Sequence, residues 1–356
     1  MATEMRMMSV AAIGFAAACG PEDAAVKTPG SSTSDAAPDA TLPELYPVTA
    51  AHEFNLATTS FVDASRPGGP RTVRLALRWP KDVSGALPVV IWSHGGADGK
   101  NDPLSALDAW GEFTAREGYL SINVAHEGRT AAQRLALCTS LGIDPDGCLT
   151  FKYLNWDRPH DLRQVVDRLS DYTALLQGAV PDPLRIAVGG HSAGAGAAMM
   201  LAGATRVFVT SPVTLDDARV RSFLTFSPQG PGHDGFTMSS WANVVRPNLL
   251  ATGQGDNADS VPPEVRALPH ELMPAGGKYR LFIDDAAAVH TVFSHSTVAC
   301  EKLTTGSRCA AFLAWLEATS LAFLDASLRN DDVARQWLAS HEIEQVAAGV
   351  ASWSVR

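Results

Sequence analysis

Leu184-Arg185-Ile186-Ala187-Val188-Gly189 runs without interruption into Gly190-His191-Ser192-Ala193-Gly194, and that into Ala195-Gly196-Ala197-Ala198-Met199-Met200-Leu201. The first segment, apolar but for Arg185, is of strand length and reads as a buried strand; the last is a series of small and unbranched residues suited to a helix. Between them, G-x-S-x-G is the pattern of a nucleophile elbow. A turn that sharp holds Ser192 at strained backbone angles and needs the missing side chains of Gly190 and Gly194. The five-residue pattern alone recurs by chance, so its weight comes from the strand before it and the helix after it. A glycine-rich turn with an idle serine is the simpler alternative, and the other loops decide between the two.

Outward from the elbow, strands alternate with helices. Thr72–Trp79 alternates in strand fashion, Leu87–Ser93 is a continuous apolar run, and Tyr119–Ala125, Arg221–Phe226, Pro247–Thr252 and Lys278–Ile283 read as further strands. Helical periodicity is expected over Pro103–Glu117, over Asp161–Leu176 opened by Arg158-Pro159, over Ser192–Ala204 and Arg308–Leu328, and in a final amphipathic segment, Val333–Ala348. This order predicts an α/β fold: a mostly parallel central sheet with helices on both faces.

The chemistry should sit at the strand C-terminal ends. Ser93-His94-Gly95-Gly96 follows one apolar strand, and the loop in that position supplies a backbone N–H to an oxyanion hole. Gly96 and Ala193 are the expected donors. An acid and a base should follow the serine in chain order. Asp256, in Gly253-Gln254-Gly255-Asp256, is the expected acid, with Asp259 as rival; His290, after Ala286-Ala287-Ala288-Val289, is the expected base, with His295 as rival. A neutral His290 would take the Ser192 proton while Asp256 holds the other ring nitrogen's proton. Each loop alone reads more readily as a surface turn or helix cap than as a catalytic loop.

Together the elbow, the SHGG loop, the Asp256 and His290 loops and Arg158-Pro159-His160-Asp161 resemble the α/β-hydrolase superfamily. Within it they look like the branch of platelet-activating-factor acetylhydrolases, dienelactone-hydrolase-like esterases and cutinase-type polyester hydrolases, over roughly Phe54 to Leu328. The resemblance implies ester hydrolysis through an acyl-enzyme with no metal or organic cofactor. Dienelactone hydrolases proper use cysteine where this chain has Ser192, so their substrate class does not carry over. The insert Thr139–Asp157 is expected to roof the pocket, with Tyr153 and Trp156 as possible acyl-site linings.

Composition excludes several other classes. Of 356 residues, 46% are apolar and 19% charged, as in ordinary globular domains; a net charge of -10, without a basic run, argues against a nucleic-acid partner. The His-Glu dipeptides at His52, His126 and His341 lack the second histidine of a zincin, Gly194-Ala195-Gly196 is not a dinucleotide fingerprint, and Gly99-Lys100 lacks the Walker Ser/Thr.

The N-terminus carries a short apolar run, Met7–Ala18, that ends in small residues directly before Cys19, as in a signal peptide with a lipobox-like cysteine. Residues 1–19 are therefore expected to be a signal, 20–43 a polar tether, and 44–356 a single hydrolase domain. Cys19 is the expected lipid anchor, facing the periplasm or exterior from the outer membrane, and the only expected membrane attachment. With Cys19 set aside, Cys138/Cys148 and Cys300/Cys309 fall into two local pairs expected to form disulfides. The chain is expected to act as a monomer on small or polymeric esters. A serine peptidase or amidase uses the same machinery, and a non-catalytic surface-bound lipoprotein on a hydrolase scaffold is the alternative of a different class.

Overall fold

The computed structural model describes residues 44–96 and 104–356. The expected signal peptide, Cys19, the whole of the tether and the Gly99-Lys100 dipeptide lie outside the described residues.

Nine strands of the described residues build one sheet: β1 Phe54–Asp63, β2 Arg71–Pro80, β3 Gly85–Ser93, β4 Leu120–Ala125, β5 Ala179–His191, β6 Val220–Phe226, β7 Asn248–Gly253, β8 Lys278–Ile283 and β9 Ala351–Val355. Their spatial order is β1-β2-β4-β3-β5-β6-β7-β8-β9. The strands from β4 to β8 are mutually parallel, whereas β1, β2 and β9 join antiparallel at the two edges. All loops leaving the parallel strands at their C-terminal ends therefore meet on one rim.

The period-2 alternation of strands sorts the core onto two faces. On one, Val90, Trp92, Leu224, Phe226, Leu249 and Leu281 pack beneath Trp110 and Phe113 of α1 (Asp108–Arg116) and Phe312, Trp315 and Leu316 of the long helix Gly306–Leu324. On the other, Val89, Ile91, Ile122, Val188 and Leu250 meet Leu162 and Val165 of the helix Tyr153–Asp167 and Ala197, Ala198 and Met199 of the helix Ala193–Leu201. The stretch Gly306–Arg329 is long and apolar enough to cross a bilayer by composition, but 67% of its most apolar window is buried, so its apolar surface is used in the core.

Three expectations need correction. Arg158-Pro159 does not open a helix: the helix begins at Tyr153 and carries Pro159 inside it, then continues past Asp167 as a 3-10 segment, Leu169–Leu175. The segment Val333–Ala348 is two helices, Asp332–Ser340 and Glu342–Val346, broken at His341, whose φ of 60° lies in the left-handed region. Pro103–Glu117 shortens to α1, after a turn that ends at Leu107. Strands β1 and β9 add two antiparallel edges that periodicity alone did not single out. Both local cysteine pairs are disulfides, Cys138–Cys148 and Cys300–Cys309.

Candidate active site

Ser192 stands between β5 and the helix Ala193–Leu201 with φ 56° and ψ -122°, the strained geometry expected of an elbow. Its backbone N–H donates to Phe226 O at the end of β6 (2.9 Å), which ties the turn to the sheet. A side chain at Gly194 would place its Cβ 1.9 Å from Ser93 O, so the glycine lets the elbow lie directly against the loop that follows β3.

Asp256 follows β7 and is fully buried; its Oδ1 accepts from His290 Nδ1 at 2.7 Å. Thr252 Oγ1 donates to Oδ2 at 2.8 Å, and Arg266 Nε lies 3.1 Å from Oδ1. Burial works to raise the Asp256 carboxyl, but the hydrogen bond and charge of His290 and the charge of Arg266 outweigh it and hold the group below its ordinary range. His290 begins a short 3-10 turn, His290–Ser294, and its main-chain carbonyl accepts from His191 Nε2 at 3.0 Å. The two imidazoles stand 4.4 Å apart, centroid to centroid. Burial drives the His191 ring down to about 3, so it stays neutral and serves as a donor.

Ser192 and His290 line one cavity of about 550 Å³, together with His94, Gly95, Gly96, His126 and Asp259. No hydrogen bond joins the Ser192 hydroxyl to His290 among the described residues; such bonds often tighten only when substrate is bound. A second cavity of about 610 Å³ also opens on Ser192, lined by Gly96, Ala193, Tyr153, Leu154, Phe151 and Gln229. The hydrogen-bond network orients the buried Gln229 carboxamide so that Nε2 donates to Ser192 O (3.1 Å) and Oε1 accepts from Ala193 N–H (3.2 Å). An incoming carbonyl oxygen must displace Oε1 to use that donor.

Neither rival joins the Asp256–His290 pair, although Asp259 lines the same cavity. His295 turns away, its Nε2 2.7 Å from Glu317 Oε1 and its ring against Trp110. Asp259 is exposed in a 3-10 turn, Ala258–Ser260, and makes no hydrogen bond to either His290 or His295 among the described residues. Tyr153 lines the second cavity, whereas Trp156 packs on Phe208 and His160 instead. Sequence reasoning missed His191, Arg266 and Thr252: His191 reaches His290 across 99 residues and Arg266 reaches Asp256 from the following helix, whereas Thr252 bonds Asp256 only four residues on.

Neither a family model nor a curated protein matches this chain. Among solved structures, it is similar to a ferulic acid esterase from Streptomyces cinnamoneus, with a TM-score of 0.52 and 21% sequence identity, over 80% of this chain and 92% of that chain. The fold is the α/β-hydrolase fold. In it, the elbow after β5 and the loops after β3, β7 and β8 all meet on the rim where Ser192 lies.

Proposed function

We propose that this chain is an exported serine ester hydrolase acting through Ser192, His290 and Asp256. One observation carries the reading: a serine at a strained strand-to-helix turn shares a cavity with a histidine whose other ring nitrogen is bonded to a buried carboxylate. With Nδ1 committed to Asp256, Nε2 of His290 is the free base. It takes the Ser192 proton as Oγ attacks the ester carbonyl, and returns it to the leaving alcohol; water then reverses the sequence to release the acid. Gly96 and Ala193 supply backbone N–H donors to the tetrahedral oxygen. Asp256 stays ionised and stabilises the imidazolium. The ferulic acid esterase similarity supports esters as the substrate class. The cavity walls Phe151, Tyr153 and Leu154 suit an apolar acyl or aryl portion, as in short-acyl or polyester-like esters. The two disulfides support an oxidising compartment, consistent with export and a lipid anchor at Cys19.

A fluorophosphonate probe should label the wild type at Ser192, and p-nitrophenyl esters should be hydrolysed. Ser192→Ala should lose label and, on the scale of a triad nucleophile, about a millionfold in turnover. Unchanged turnover in a folded Ser192→Ala protein overturns the assignment. Faster cleavage of peptide anilides than of esters would make it a peptidase.

A further inference from the structure

Beside the elbow lies a second Ser–His–Asp series that the proposed reaction does not use. Ser93 Oγ is 2.8 Å from His126 Nε2, and His126 Nδ1 is 3.0 Å from Asp161 Oδ2. All three are buried, so Ser93 cannot itself meet a substrate. What they surround is the loop Ser93–Gly96. The His126 backbone N–H donates to His94 Nε2 at 3.1 Å, and His94 Nδ1 is 2.7 Å from Gly95 O. Arg158 Nη2 donates to Gly96 O. Every residue of the loop thus has a polar tether to a buried group or to its neighbour.

The protons of this network are determined. Asp161 faces Arg66 and Arg71 as well as His126, and these partners hold its carboxyl ionised, well below the usual range, against the opposing effect of burial. An ionised carboxylate only accepts, so His126 Nδ1 carries the hydrogen. Burial pushes the imidazoles of His126 and His94 down to about 4 and about 3, so both are neutral. His126 Nε2 is then an acceptor, and Ser93 Oγ donates to it. His94 Nε2 accepts the backbone N–H of His126, so its Nδ1 donates to Gly95 O. A single assignment satisfies every bond.

The loop also touches the nucleophile. A Cβ on Gly95 would stand 2.8 Å from Ser192 Cβ, so a small shift of the loop moves it against the reacting residue. Arg158 is fully buried and has no carboxylate within ion-pair distance among the described residues, although Asp157 and Asp161 on the same helix are paired with other arginines. A buried guanidinium without a paired carboxylate is costly, and the hydrogen bonds of this one go to two neutral acceptors, Asn155 Oδ1 (3.1 Å) and Gly96 O. Its place beside Gly96 gives that cost a use, because it fixes the peptide next to the expected oxyanion donor and adds positive potential there.

We propose that Ser93, His126, Asp161 and Arg158 form a buried clamp that holds the oxyanion loop Ser93–Gly96 in register with Ser192, which makes Arg158 and His126 positioning residues for ester hydrolysis. The proposal rests on the serine hydrolase reading.

The test compares wild type with Arg158→Met, Arg158→Lys and Ser93→Ala, using a short p-nitrophenyl ester, an alkylboronic acid and fluorophosphonate labelling carried to completion. The boronate adduct presents a tetrahedral oxygen to the same donors. Arg158→Met should lower kcat per labelled site by about 10²-fold, the scale of losing one oxyanion donor, with KM little changed and boronate affinity falling in parallel. Arg158→Lys should recover most of that loss. Should Arg158→Met fail to fold, Ser93→Ala decides, with an expected loss of about 10-fold in kcat and in boronate affinity, the worth of one buried hydrogen bond. Reduced stability with kcat per labelled site and boronate affinity intact in the folded variants overturns the clamp and leaves the hydrolase reading standing. A wild type that neither cleaves esters nor takes the label overturns both.

Discussion

Replacing Asp256 by alanine should separate two losses whose sizes follow from its contacts. The carboxylate accepts from His290 at 2.7 Å, so its removal frees the imidazole to adopt the wrong tautomer and takes away the charge that stabilises the imidazolium. In triads of this kind that costs about 10⁴-fold in kcat. The same substitution leaves Arg266 buried without its acid. Breaking a buried pair typically costs about 3 to 5 kcal/mol. The low end applies here, because the guanidinium keeps its bonds to the carbonyls of Ser227, Pro228 and Ala258. A loss of about 3 kcal/mol should lower Tm by roughly 4 to 5 °C in a domain of this size. Asp259→Ala, at an exposed position with φ 55°, should shift stability by no more than about 1 kcal/mol and leave kcat close to the parent value. His295→Ala should do the same to kcat, since its partner is Glu317. The assay is kcat on a p-nitrophenyl ester, normalised to labelled Ser192, beside thermal unfolding. If Asp259→Ala costs more turnover than Asp256→Ala, or His295→Ala more than His290→Ala, the reasoning from these contacts is wrong.

Acidification should destabilise the protein before its carboxylates titrate. His94, His126, His160, His191 and His270 are all held by burial at about 3 to 4, below the roughly 6.5 of an unfolded histidine. Between those values the unfolded chain binds more protons, so stability rises with pH up to about 6.5 and is lost progressively below it; a Tm that stays flat from pH 7 to pH 4 would contradict this. Intact-mass analysis without reductant should find two bridges, and four alkylatable thiols in the native protein would refute them. If Cys19 is lipidated, the expressed protein should partition into detergent with membranes and Cys19→Ala should release it or leave the precursor unprocessed; soluble wild type would defeat the anchor.

The parallel strands were legible because burial on both faces makes them continuous apolar runs, as in Leu87–Ser93 and Ile186–Gly189. Edge strands carry a weaker signal. In β1, Thr58, Ser60 and Val62 alternate outward with inward neighbours, and β9 is the five-residue Ala-Ser-Trp-Ser-Val, short enough to pass for loop. Pro159 misled because proline usually marks a first helical turn, whereas here the preceding turn from Tyr153 was already formed. The elbow and both loop residues Asp256 and His290 were legible as residue types at strand ends. The supports around them were not, because the bonds joining His191 to His290, and His126 to Asp161, span 99 and 35 residues with no local pattern.

The two disulfides close short segments, with sequence separations of 10 and 9, and neither links one face of the sheet to the other end of the chain. This has a bearing on maturation. A mispaired bridge from Cys148 to Cys300 would close a loop of 152 residues (300 − 148) instead of 10. By loop-closure entropy that disfavours it by about 2.4 kcal/mol, or roughly 60-fold. Correct pairing is thus favoured by proximity along the chain before any tertiary structure exists. Oxidation before collapse and oxidation after it are biased toward the same two bonds.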